Sequence, residues 1–526
     1  MNFKKEILQW STYLFLGIFS FLINYWTGSR GVFSIDTFVH FDSAVRILKD
    51  ELPIRDFWIV HGFLIDYIQA LFFKVFGVNW KAYILHGSAF NIVVTLLSFK
   101  IFNEFNIDKK YSIILSICLS VLAYPVSGTP FLDLHSAFFS MISMYLILIS
   151  IKKESLSYLF IAIIFLGLAF LSKQVPAGYF IILVTIFLLI YSYQIKSYNP
   201  LFTALAALIV FLLCLFTYLI LTNTNFNDFI LQLFIFPNEI AGPRFKNYTI
   251  NLGNIFLNIK FIYFFLIPII ILLLLEIFKK KSKNIKELNY LLIIIFFSIS
   301  LIFHQIYTKN QIFIFFLIPF LCAFLIYFLN YEKFRHKKYL NHFLVLICII
   351  LTFKYHLRYN EDRKFHELFS TNLDKGIEVD FNRDFFKGLK WITPAFSDPK
   401  KELEIIKNFY IKIKKDETNF ILITKYTFFS GLLDKSVKTP SRTFDRISYP
   451  RLNSKYYKDY KNYFNDNIVK NNIENIYVFN PGFKLTNEDL SELIFNYIPK
   501  NCHTLENFNS YTYKINLSNC DFSDSK

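Results

Sequence analysis

The sequence predicts a polytopic α-helical membrane protein of about eleven transmembrane helices, with interfacial helices in the first outer loop and an extracytoplasmic α/β domain at the C-terminal end. Three observations carry this expectation. Of 526 residues, 54% are hydrophobic and only 18% charged, with a mean hydropathy of +0.40. Apolar runs of about 20 residues, the length that crosses a bilayer, recur through the first two thirds of the chain. After His356 the composition turns polar and the pattern becomes mixed. A soluble globular protein is excluded.

Taken in order, the expected spans cover residues 8–26, 82–102, 111–128, 131–150, 156–172, 176–194, 201–222, 259–278, 288–306, 311–330 and 339–355. The start, MNFKK and then an apolar run from Ile7 to Trp26, reads as an uncleaved first span, because the run is long and no small-residue cleavage site follows. Between the first two spans, residues 42–52 and 63–76 read as amphipathic helices too short to cross, lying in the interface plane; Gly77 ends the second. Beyond His356, helical stretches at 400–415, 453–472 and 487–497 alternate with strand-like runs at 420–424, 476–479 and 511–515. The expected division is a membrane domain, 1–355, and a soluble α/β domain, 356–526. That domain has no glycine-rich phosphate fingerprint.

The net charge of +17 would suggest nucleic acid for a soluble chain. Here the basic residues punctuate the spans, so no nucleic-acid partner is expected. With Met1 in the cytoplasm, Lys4/Lys5, Lys109/Lys110, Lys152/Lys153, Lys196, the lysines from Lys279 to Lys286 and those around Lys337 all share that side, as the positive-inside rule requires. The C-terminal domain then lies outside. There Cys502 and Cys520 could pair. The 66 phenylalanines fit a compositional bias and carry no site signal.

This topology collects the unusual polar residues on the outer face, as one outward cavity. The insert Ser34–Leu64 contributes Asp36, His40, Asp42, Arg55, Asp56 and His61. Asp133, His135, Lys173, Gln174, Arg244, Lys246, His304 and Lys309 come from later outer loops and span ends. A carboxylate at a membrane face can act as general base toward a hydroxyl, the role assigned to Asp36; helix capping is the bland alternative. Asp36, His40 and Asp42 could instead hold a divalent cation, but the D-x3-H-x-D spacing ranks below catalysis or substrate hydrogen bonding. Arg55–Asp56 is at least as readily an ion pair fixing the loop as a substrate contact. His61 could meet a phosphate or cap a helix. Lys173 with Arg244, Lys246 and Lys309 offers the cations a departing lipid phosphate needs, although Lys173 could also snorkel. Asp133 could cap the following helix. Glu239 and Tyr248 read as ordinary loop residues.

The order of one span, an outer acid, AVRIL, ELPIRDFW, HGFL and a helix closing in KVFG, with SKQ at 172–174 and TKNQ opening the tenth span, resembles the glycosyltransferases of the GT-C superfamily. The branch is that of the Rhizobium lipopolysaccharide-core transferases and, more distantly, the aminoarabinose and protein mannosyl transferases. The resemblance covers roughly residues 1–330. It implies a polyprenyl-phosphate-linked sugar donor, a lipid, glycan or protein acceptor, inverting transfer on the non-cytoplasmic face, and a catalytic acid at Asp36. Many members carry an acidic pair there. This chain has Thr37 after Asp36, which leaves Asp42 as a substitute partner. No cofactor is obligatory, with a divalent cation as the alternative. The rival readings are a lipid-linked saccharide flippase and an O-antigen-type polymerase or ligase. A flippase should distribute charge along mid-span, whereas mid-span acids are nearly absent.

Overall fold

A computed structural model describes residues 3–123, 128–246, 252–278, 284–308, 314–331, 336–362, 368, 371–445, 447–482, 486–499 and 502–522. The chain forms two compact units, each assembled from three separated segments. One comprises residues 1–28, 84–217 and 244–365; the other comprises 29–83, 218–243 and 366–526.

Each expected span forms a helix. Helix α1 (Phe3–Gly28) is followed by two short helices, α2 (Phe41–Leu48) and α3 (Leu64–Phe76). Then come α4 (Trp80–Glu104), α5 (Lys109–Leu122), α6 (Leu132–Lys153), α7 (Leu156–Ser172), α8 (Gln174–Gln194) and α9 (Asn199–Leu221). After α10 (Phe226–Ile230), α11 (Phe236–Lys246) and α12 (Leu252–Ile255), the apolar series resumes with α13 (Lys260–Phe278), α14 (Ile285–Thr308), α15 (Leu317–Tyr331) and α16 (Lys337–His356). Seven helices among the described residues are long and apolar enough to cross a membrane, and α7 and α15 are apolar but shorter.

In the first unit, the buried helix is the polar one. The 18-residue apolar window of α6, a helix that carries Asp133, His135 and Ser136, Ser140, Ser143 and Ser150, is 94% buried, while that of the nearly all-apolar α9 is 11% buried. Lipid solvates apolar side chains as well as protein does, so packing and polar satisfaction decide which helix goes inside. Helix α1 shows the same logic along its length. Ile7, Trp10, Leu14, Ile18 and Leu22 form an exposed stripe at helical spacing. On its inner face Asn24 donates to Ser88 Oγ at 3.0 Å, and Asn91 reaches back to the Ser20 carbonyl at 3.0 Å. Gly28 and Gly128 meet backbone to backbone: a Cβ on Gly128 would lie 2.3 Å from Gly28 Cα, and Gly128 has φ +71°.

The second unit is built on a four-stranded sheet, β3 (Phe420–Thr424), β4 (Asn475–Phe479), β5 (Thr504–Asn509) and β6 (Thr512–Asn516), in the order β3-β4-β6-β5. The parallel pair β3 and β4 is buried at every position, as parallel strands covered on both faces are. A smaller antiparallel pair, β1 (Ile377–Glu378) and β2 (Lys390–Trp391), precedes it. Helices α17 (Arg383–Phe386), α18 (Pro399–Lys414), α19 (Phe429–Leu433), α20 (Tyr457–Lys470) and α21 (Asn487–Leu490) complete the region. Cys502 and Cys520 are disulfide-bonded.

The first-loop insert belongs to this unit. Val32 N–H donates to the Ile392 carbonyl at 2.9 Å, Trp58 N–H to that of Pro440 at 2.7 Å, and Arg442 N–H to that of Trp58 at 2.9 Å. Trp58, Val60 and Phe236 sit in one hydrophobic core with Ile421, Ile423, Tyr460 and Val478. Helix α2 therefore departs from the expected surface helix: Phe41 to Arg46 are all buried, against α3 and α19, and Leu48 is the exposed end. Helix α3 keeps an interfacial character, with Asp66 and Gln69 buried while Leu71, Val75 and Phe76 are exposed.

Gly128→Ala is expected to destabilise the first unit by more than about 1 kcal/mol, because the new Cβ meets backbone and the φ is left-handed. The thermal melting of the detergent-solubilised variant measures this; an unchanged midpoint would contradict the close approach.

Candidate active site

Asp36 lies in the turn between α1 and α2, half-buried. The residues around it explain how it is held. Thr37 is buried, its hydroxyl accepts from Phe33 N–H at 2.9 Å and its own N–H donates to the Phe33 carbonyl at 3.1 Å, closing the turn locally. Phe38 is fully buried in an aromatic cluster with Trp80, Trp391 and Phe428, at ring-centroid distances of 5.7, 6.0 and 4.9 Å. Both neighbours on the C-terminal side are thus anchors, and Asp36 beside them stays half-buried, like Ser34 and Ile35.

The remaining insert residues are drawn inward. His40 is fully buried, with Nδ1 2.7 Å from Asp66 Oδ1. Asp66 also accepts from Ser43 Oγ at 2.6 Å and pairs with Arg442 Nη2 at 3.1 Å. Burial alone would raise the Asp66 carboxyl, but Arg442, His40 and Ser43 together hold it below its ordinary value. His40 is pushed down by burial, against the pull of Asp66, so it is a neutral imidazole donating from Nδ1. Arg442 Nη2 also donates to the Gly62 carbonyl at 3.0 Å and the His61 carbonyl at 3.4 Å, which fixes the backbone at the start of α3.

Asp42 faces the other way, accepting from Ser430 N–H at 2.9 Å. Burial pushes it up to about 7, against the Ser430 amide and Arg46. It borders a cavity of about 10 Å³ with Arg46, Thr427, Thr439 and Ser441. Arg55 is committed to Asp56 (2.6 Å) and to the carbonyls of Asp50 (2.7 Å) and Thr222 (3.0 Å); Asp56 also pairs with Lys470 at 2.6 Å. These contacts are those of a loop-fixing ion pair. The Asp36, His40 and Asp42 carboxylates and ring do not come together: among the described residues no group of three His, Cys, Asp or Glu could hold a metal.

In the first unit the candidates do converge. Lys173 has extended backbone at the break between α7 and α8, and α6 grips it at both ends. Its Nζ donates to both Asp133 oxygens at 2.8 and 2.7 Å, and its carbonyl accepts from Ser136 Oγ at 3.1 Å. His304 Nε2, from the end of α14, donates to Asp133 Oδ1 at 2.8 Å. His135 Nδ1 donates to the Phe131 carbonyl at 2.9 Å and its Nε2 lies 3.0 Å from His86 Nε2. Gln174 opens α8, half-buried. The Arg244 and Lys246 side chains, Tyr248 and Lys309 lie outside the described residues. Asp66, Arg442 and His86 were not anticipated. Asp66 stands one helical turn before Gln69 on the face of α3 opposite its exposed apolar edge, a pattern that marks both as inward-facing.

Asp66→Asn is expected to cost about 3–5 kcal/mol, because it leaves a buried guanidinium uncompensated; melting and limited proteolysis measure it. Asp42 adds a pH dependence. The folded chain keeps its proton up to about pH 7, whereas an unfolded aspartic acid releases it near about 4. This contribution is complete below about 4 and is lost as pH rises through the folded value. Stability should therefore fall between pH 5 and pH 8 in the parent, and less steeply in Asp42→Asn.

The sequence profile of the dolichyl-phosphate-mannose-protein mannosyltransferase family matches residues 60–226. The crystal structure of ArnT from Cupriavidus metallidurans bound to undecaprenyl phosphate is similar with a TM-score of 0.51 at 9% identity, over 96% of this chain and 97% of that one. The same protein in the apo state gives a TM-score of 0.46 at 10% identity, over 96% and 98%. No curated protein sequence matches. The profile match covers residues 60–226 within the membrane region, and the fold is shared with ArnT along nearly the whole chain.

Proposed function

We propose that the protein transfers a sugar from a polyprenyl-phosphate-linked donor to a hydroxyl of a lipid, glycan or protein acceptor at the periplasmic face of the bacterial inner membrane, with inversion. The observation that carries this reading is the mannosyltransferase-family match. The undecaprenyl phosphate bound to the structurally similar ArnT supports the donor class. The orientation rests on the basic cytoplasmic loops, and the Cys502–Cys520 disulfide supports an oxidising compartment for the C-terminal region.

Asp36 is the general base in this reading. Its carboxylate takes the proton of the acceptor hydroxyl as that oxygen bonds to the anomeric carbon. The carbon–oxygen bond to the lipid phosphate breaks in the same step, and the bond pair leaves with the phosphate. Asp36 is supported by its half-exposed side chain on a turn anchored by Thr37 and Phe38. The developing phosphate charge is met by Lys173, whose ammonium, with two of its hydrogens directed to Asp133, keeps a third for a ligand oxygen. Arg55 contributes less than a free guanidinium would, because its donors are already directed to Asp56 and two carbonyls. His61 stays a phosphate contact in this reading. The lipid phosphate departs already charged, so the chemistry does not oblige a metal.

Asp36→Asn is expected to lower sugar transfer from polyprenyl-phosphate donors about 10²- to 10⁴-fold in membranes containing intact protein. Parent-like rates would remove Asp36 as base. A topology reporter fused after Tyr359 should read periplasmic, and a cytoplasmic signal would reverse the orientation.

A further inference from the structure

Away from Asp36, the second unit carries a cleft of about 590 Å³ that no step above uses. It lies where α11 meets the segment leading into α20, and it is lined by Ile235, Asn238, Glu239, Asn453, Lys455 and Tyr456. Its size suits a ligand of a few sugar rings.

The polar groups are sorted by hydrogen-bonding role. Asn238 donates its amide to the Phe234 carbonyl at 2.9 Å, which leaves its Oδ1 as an acceptor. Glu239 has a buried carboxylate oxygen, Oε2, without a hydrogen-bond partner. Such an atom is costly unless something donates to it. Lys455 supplies an ammonium, 4.8 Å from the Tyr456 ring centroid, and Asn453 an exposed amide that both donates and accepts. Tyr456 is held by an edge-on contact with Phe236 at 6.4 Å, so its ring is a fixed wall of the cleft. Acceptors on α11, an ammonium and a two-way amide on the facing segment, and an aromatic wall suit a molecule whose every substituent both donates and accepts and whose ring C–H faces are apolar.

We propose that this cleft binds the saccharide portion of a hydroxyl-bearing acceptor, with Glu239 and Asn238 accepting from its hydroxyls, Asn453 and Lys455 donating to them, and Tyr456 against a sugar face. The identification as acceptor rests on the sugar-transfer reading, whereas saccharide binding itself does not.

The test is saturation-transfer NMR on the full-length protein in nanodiscs, with maltose, lactose, cellobiose and chitobiose as separate probes. At least one should show saturation centred on ring C–H protons. Its affinity should weaken at least about tenfold in Tyr456→Ala and in Glu239→Gln, the loss of one contact to a charged group or an aromatic wall. The exposed Asn453→Ala should weaken it too, with melting unchanged. Asp36→Asn should leave binding intact. No saturation with any probe, or saturation that survives all three cleft variants, would overturn the proposal. Sugar binding that holds while Asp36→Asn keeps full transfer would instead overturn the assignment of the catalytic base and leave the cleft standing.

Discussion

The buried pair Asp66–Arg442 is the constraint on which the second unit depends. A fully buried carboxylate on α3 and a guanidinium from the C-terminal region meet at 3.1 Å, and His40 and Ser43 both bond to the carboxylate's Oδ1. A charge in such a place is tolerable only if an opposite charge and hydrogen bonds compensate its lost hydration. The pair therefore ties α3 to the segment between α19 and α20. Arg442 adds to this by gripping the Gly62 carbonyl, so the same guanidinium sets both the orientation and the starting point of α3. The turn that carries Asp36 inherits its position from that arrangement through Phe38 and its aromatic neighbours.

The membrane helices were legible because length and hydropathy alone select them, and the α20, β3, β4 and β6 regions because buried strands and amphipathic helices have strong local periods. Strand β5 was missed for the converse reason. Thr504–Asn509 is an exposed edge with little apolar alternation, paired only on one side. The burial of α2 was illegible because its short apolar face suited an interface and its charged residues, Asp42 and Arg46, gave no sign of distant partners. Their partners, the Ser430 amide and Glu51, become visible only in three dimensions. Arg442 had no sequence signal at all, since an arginine in a polar run looks like any surface residue until its distant carboxylate is found. Lys173 and Asp133 were legible as outliers, charged groups at the ends of apolar helices, and they are paired as the cost of isolated charge near lipid demands.

The Lys173–Asp133–His304 cluster makes a different use of charge from the Asp66 network. Asp66 is sealed, whereas Lys173 keeps 14% of its side chain accessible and sits on a backbone break between two helices. An aspartate that accepts from both a lysine and a histidine holds the ammonium in one place. The buried polar side of α6 supplies that rigidity.

The interleaving of the second unit has a consequence for inheritance. Its hydrophobic core takes Trp58 and Val60 from the first loop and Phe236 from the middle of the chain, and packs them against strands that begin only at Phe420. A gene fragment encoding the tail alone would lack those side chains and the Asp66 carboxylate that Arg442 requires. Recombination could not swap the C-terminal region between relatives as a cassette without carrying the two upstream loops with it. Drift in any of the three segments must then be answered in the others, which makes the three together, and not the tail, the heritable module.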